Sequence, residues 1–133
     1  MSYIDISNLI GVPFKSRGRS IHDGFDCWGL VIEVFRRINI NLPDFYIDAY
    51  DSFEIDKTRN IFESNWEKVK KPDMGIVIGL NFDRMAPDIT QHFGVCLDNR
   101  KFIHVVEGSG VIITQLNHAF FKNIIAGYYK WKL

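Results

Sequence analysis

The stretch His92–Val106, HFGVCLDNRKFIHVV, holds two runs of apolar, β-branched and aromatic residues separated by Asp98-Asn99-Arg100. Runs of this kind read as strands, and a short polar break joins them as an antiparallel hairpin. Loop length then decides which residues face each other. With an odd loop, such as a three-residue turn with a bulge, position 92 pairs with 106 and Gly94 pairs with His104. Both imidazoles then project from one face, diagonal to each other at about 6 to 8 Å, and Gly94 leaves room for the second ring. An even loop would send the two rings to opposite faces, so register is the deciding quantity.

Working outward, further strands are expected at Gly75–Leu80, Val111–Leu116 and Ile124–Lys132. Upstream the period changes. Cys27, Leu30, Val31, Val34, Phe35 and Ile38 follow the i, i+3, i+4 spacing of one helix face, with Asp26 as N-cap and Asn39–Pro43 as terminator. Residues 1–11 read as a short helix or turn closed by Gly11 and Pro13, residues 14–24 as a loop, and a second helix is expected near Ser52–Ser64. Helical signal followed by clustered strands is the α+β pattern, a helix on one face of an antiparallel sheet.

The 133 residues fit one domain, 1–133, which buries roughly two-thirds of its unfolded surface. With 47% hydrophobic and 14% aromatic residues the composition is that of a globular chain. The 16 Lys and Arg balance 16 Asp and Glu, leaving no basic surplus for a phosphate backbone, so nucleic acid is not an expected partner. No window approaches about 18 apolar residues, and MSYIDISNLIGV has no cationic n-region or apolar h-region. Neither membrane insertion nor a signal peptide is therefore expected. Synthesis in the cytoplasm goes with two cysteines kept as thiols.

Cys27 stands at the first helical position, where unpaired N–H groups and the helix dipole lower a thiol's pKa. The alternative is a small residue packed under the sheet. With the odd register, His92 serves as base to Cys27 while His104 holds its second nitrogen in the right tautomer, the logic of acyl-transfer enzymes. Cys96 invites a zinc reading, but residues i and i+4 of a strand lie about 13 Å apart, too far for shared ligation with His92. Cys96 reads as core, and no metal is expected. His22 reads as a loop residue, and His118 has no evident partner. Arg17 and Arg19 flank Gly18 and are candidates for binding a substrate carboxylate, or are solvated loop charges.

Taken in order, these residues resemble the NlpC/P60 family of papain-like cysteine peptidases, in the variety carried by tailed bacteriophages in tail-tip modules. Gly11-Val12-Pro13-Phe14 with Gly18 resembles the family's Gly-x-Pro-Tyr and glycine loop. GFDCWGLV (24–31) resembles the nucleophile motif, with Trp28 in the phage-like form. Trp66-Glu67, Lys71–Val77, the two-histidine hairpin and Gly127-Tyr128-Tyr129 resemble the segments that follow. The resemblance implies a papain-like fold with Cys27 as nucleophile, His92 as base and His104 as third polar residue. It places Asp26, Trp28, Phe14, Arg17 and Arg19 around the substrate, and requires no cofactor. It implies cleavage of amide bonds in peptidoglycan stem peptides next to a D-γ-glutamyl unit, with phage tail proteins as partners and a virion tail as location. Phe14 stands where the family often has a Tyr hydroxyl, which Ser16 could replace. The rival readings are a tail-assembly module with weak or lost catalysis and another Cys-His amidase or acyltransferase of the same fold.

Overall fold

The computed structural model describes residues 4–44, 65–82 and 92–132. The helix expected near Ser52–Ser64 lies outside them. The described chain runs β1 (Arg19–Ser20), β2 (Gly24–Phe25), α1 (Cys27–Arg36), β3 (Trp66–Val69), β4 (Val77–Leu80), β5 (His92–Cys96), β6 (Lys101–Val106), β7 (Gly110–Gln115), a 3₁₀ turn (Phe121–Asn123) and β8 (Ile125–Trp131). β3 to β8 form one antiparallel sheet in the order β3-β8-β4-β5-β6-β7.

The hairpin takes the odd register. Val95 pairs with Ile103 and Cys96 with Phe102. The Leu97 amide donates to the Lys101 carbonyl at 2.9 Å, leaving Asp98-Asn99-Arg100 as a three-residue loop. The Asp98 carboxylate closes it by accepting from the amides of Arg100 (2.7 Å) and Lys101 (3.0 Å), an Asx turn made from the expected residue type. A Cβ at position 94 would lie 2.7 Å from the Ile103 oxygen and 3.1 Å from the His104 Cβ. Only glycine lets the two strands approach this closely.

α1 begins where the sequence places it, with Asp26 as N-cap. It ends at Arg36, three residues short of the terminator. Asn39 takes a left-handed backbone (φ 64°) and the Ile40 amide returns to the Phe35 carbonyl, so Ile38 packs from the closing turn rather than from the helix. Leu30, Val31, Val34 and Phe35 meet Val77, Phe93, Val95, Ile103, Val105 and Val111 on one face of the sheet. Ile78, Leu80, Cys96 and Phe102 form a smaller core on the other face, covered by Phe121, Ile124, Ile125 and Tyr128. One helix on an antiparallel sheet is the α+β architecture the pattern predicts.

Of the two alternatives for the N-terminal segment the structure takes the turn, with the Leu9 amide on the Ile6 carbonyl and Gly11 at φ 86°. Two departures are local. Part of the expected 14–24 loop pairs as the β1–β2 hairpin. Trp66–Val69 is a strand although two of its four residues are charged, because it needs only one partner, β8, where Trp66 lies opposite Trp131.

Candidate active site

Local chemistry fixes the start of α1. The Asp26 carboxylate accepts from the Gly29 amide at 2.7 Å, and its Oδ1 lies 2.5 Å from an Arg19 guanidinium nitrogen. Arg19 also donates to Asp44 (2.9 Å) and to the Gly18 carbonyl (2.8 Å). A Cβ at Gly29 would overlap the Gly18 carbonyl oxygen, so glycine there lets the 14–19 loop seat against the first helical turn. Burial pushes the Asp26 carboxyl up against the opposing pull of the Gly29 amide and Arg19.

Cys27 is 9% exposed, and its sulfur accepts from the backbone amides of Phe93 and Trp28. The Phe93 bond ties the sulfur to β5 one residue from His92. The expectation of a lowered thiol pKa is corrected here. Burial, with a smaller contribution from the Asp26 charge, pushes the thiol up to about 12, outweighing the two amides and Arg19. Loss of water around a thiolate costs more than a helix N-terminus returns.

His92 Nε2 lies 3.0 Å from His104 Nδ1, and His104 Nε2 lies 2.8 Å from the Thr114 hydroxyl. The two rings therefore share a face and touch, as the odd register requires. Phe82 (5.4 Å between centroids) packs on His92, and Phe102 (4.5 Å) and Phe121 (5.0 Å) enclose His104. Burial among these rings pulls His92 down to about 4. His104 falls to about 3, from burial first and the His92 charge second. At neutral pH the Cys27 thiol and the two hydrogen-bonded imidazoles are all neutral, and a thiol and an imidazole in these states can exchange a proton as the sulfur attacks a carbonyl.

The other candidates divide. Trp28 is fully buried, its indole N–H donating to the Pro43 carbonyl at 3.1 Å and its ring edge-on to Trp66 and Phe93. The expectation that Trp28 lies around the substrate is corrected, since its volume fills the helix–sheet core. Arg19 is held by Asp26 and Asp44, and Asp26 is occupied as N-cap. Arg17 is exposed on a left-handed backbone (φ 60°). Phe14 is half-buried and bridges to Phe25, and Ser16 is exposed. His22 is exposed in the β1–β2 turn. His118, without an evident partner in the sequence, accepts the Phe120 amide at 3.1 Å and packs on Phe121. Cys96 is fully buried between Ile78, Leu80 and Phe102, and among the described residues no group of three potential ligands gathers. Thr114 is the polar residue that sequence reasoning missed. Its signal was the register: His104 pairs with Ile112, so Thr114, two residues on, shares its face.

Known proteins are similar to this chain in sequence and in fold. A model of the NlpC/P60 family matches residues 11–129. A gamma-DL-glutamyl hydrolase of Bacillus subtilis is 26% identical over 110 residues, covering 83% of this chain and 24% of that protein. The chain thus spans about a quarter of the length of that curated relative. An NlpC/P60 family protein from Bacillus cereus shares the fold with a TM-score of 0.68 at 23% identity, over 92% of this chain and 36% of that one. The NlpC/p60 domain of the peptidoglycan hydrolase SagA does so with a TM-score of 0.59 at 16% identity, over 96% and 92%. A family model that runs from the glycine loop to the closing strand, on a fold shared with solved members, makes this chain a member of the NlpC/P60 family.

Proposed function

We propose that the chain is a cysteine peptidase that cleaves amide bonds of peptidoglycan stem peptides next to a D-γ-glutamyl unit. One observation carries the reading: the Cys27 sulfur is bonded to the β5 backbone beside His92, whose Nε2 is bonded to His104. In this scheme the thiol proton passes to His92 as the sulfur attacks the amide carbonyl, forming the S–C bond and an oxyanion. Backbone amides at the start of α1, including that of Cys27, receive the oxyanion. Collapse breaks the C–N bond while His92 returns the proton to the leaving amine. A water, deprotonated by His92, then hydrolyses the thioester. Because the thiol is pushed up and the imidazole down, proton transfer accompanies attack rather than preceding it.

The family and the γ-glutamyl bond named in the Bacillus subtilis relative support the substrate. The Cys27-Trp28 pair supports the tail-tip variety, with delivery to the wall on a virion tail. A tail-assembly module with weak catalysis is the second reading, favoured by Phe14 in place of a hydroxyl-bearing residue and by the high thiol pKa. Incubation of the protein with purified peptidoglycan, followed by quantitation of new amino groups, separates the two. Release by wild type and none by Cys27→Ala is the expected result. No release by wild type, or equal release by Cys27→Ala, defeats the enzyme reading.

A further inference from the structure

The His92–His104 contact leaves open which imidazole donates. His92 can accept the thiol proton at Nδ1 only if its own proton sits on Nε2, and that proton must then be donated to a bare His104 Nδ1. His104 in turn must carry its proton on Nε2, 2.8 Å from Thr114 Oγ1. The opposite sense puts a proton on His104 Nδ1 and another on His92 Nδ1, which blocks the base. Which sense holds is therefore set at the far end of the chain. His104 is fully buried, Thr114 is 7% exposed, and no buried side-chain polar atom among the described residues lacks a partner.

We propose that Thr114 is a positioning residue: its hydroxyl accepts from His104 Nε2–H and so fixes the tautomers of both histidines in the sense that leaves His92 Nδ1 free as base. The proposal rests on the reading of His92 as base, but the tautomers exist with or without turnover. Orphaned buried N–H groups are rarer in folded proteins than under-satisfied buried acceptors. Removing the hydroxyl therefore drives His104 toward Nδ1–H and His92 with it. None of the three hydrogen-bonded side chains, His92, His104 and Thr114, is a carboxylate. The sense of donation is thus held by hydrogen-bond geometry rather than by a charge among the three.

The test uses ¹⁵N-histidine-labelled protein at pH 7, comparing wild type, Thr114→Val and Thr114→Ser. Ring-nitrogen shifts report each tautomer, and hydrolysis of a D-γ-glutamyl stem peptide reports kcat/KM. The expected result is His104 protonated at Nε2 in wild type and Thr114→Ser, with Nδ1–H gaining in Thr114→Val. In parallel, kcat/KM falls at least about tenfold in Thr114→Val and recovers to within about threefold in Thr114→Ser, a share of what general-base catalysis supplies. A wild-type His104 protonated at Nδ1 overturns the proposal even if both variants fail to fold, as does an unchanged tautomer in folded Thr114→Val. Failure of wild type to cleave any peptide, with the tautomers as expected, counts against the peptidase reading and leaves the positioning role standing.

Discussion

Cys27 is held between two opposed influences, amide dipoles that favour a thiolate and a dry setting that forbids one. At neutral pH the second wins, which distinguishes this thiol from one stored as an ion pair with imidazolium. Alkylation by iodoacetamide should therefore be slow at pH 7 relative to a free thiol and should accelerate as the pH rises past 9. The rate of mass gain from pH 5 to 10, with Cys96→Ser to isolate Cys27, checks it. A fast, flat rate from pH 5 to 8 would show a preformed thiolate and refute the assignment. At this scale the contact between His92 and His104 was legible, from residue type and hairpin register. The state of the thiol was not, because helix position is written in the sequence while desolvation depends on what packs from elsewhere. Arg19 shows the same limit: a cation beside the site in sequence is spent on Asp26 and Asp44 in space.

Elements place these residues, and the hairpin does most of it. Asp98 accepting two amides fixes a three-residue loop, the loop fixes register, and register brings His92 to His104. That chain of consequence runs from local sequence, so it could be read in advance. The β1–β2 pairing could not, since strands of two residues carry no alternating pattern, nor could β3, which is held by the distant β8 rather than by its own pattern. Trp28 was read for its neighbour rather than for its volume. As the centre of an aromatic cluster with Trp66 and Phe93, it joins α1 to β3 and β5. Trp28→Ala should cost about 3–5 kcal/mol of stability, measured by urea unfolding, whereas Trp28→Phe should keep most of it. Wild-type stability in Trp28→Ala together with altered peptide preference would return Trp28 to the substrate pocket.

Across the whole molecule, the buried titratable groups set a stability window. His92 and His104 have folded pKa values near 4 and 3, below the ordinary 6.5. The unfolded chain therefore takes up protons that the folded one does not. Stability from this source is complete above pH 6.5 and is lost as pH falls through 4, at up to about 1.4 kcal/mol per pH unit for each histidine. Asp26, pushed up, opposes this near its own titration. Cys27 and Cys96, both raised to about 12 from 9, act at the other limit, where stability is lost as pH rises past 9. Thermal unfolding should show a plateau between about pH 6.5 and 9 with a decline on each side. A melting temperature unchanged between pH 7 and 4.5 would show that the histidines are not buried neutral. The sulfur that ends this window at high pH is also a joint. By accepting the Phe93 amide this reactive atom also fastens helix to sheet, so substituting it removes a bond as well as a reagent. Cys27→Ser, which keeps an acceptor at that point, is the silent partner against which loss of chemistry and loss of architecture can be told apart.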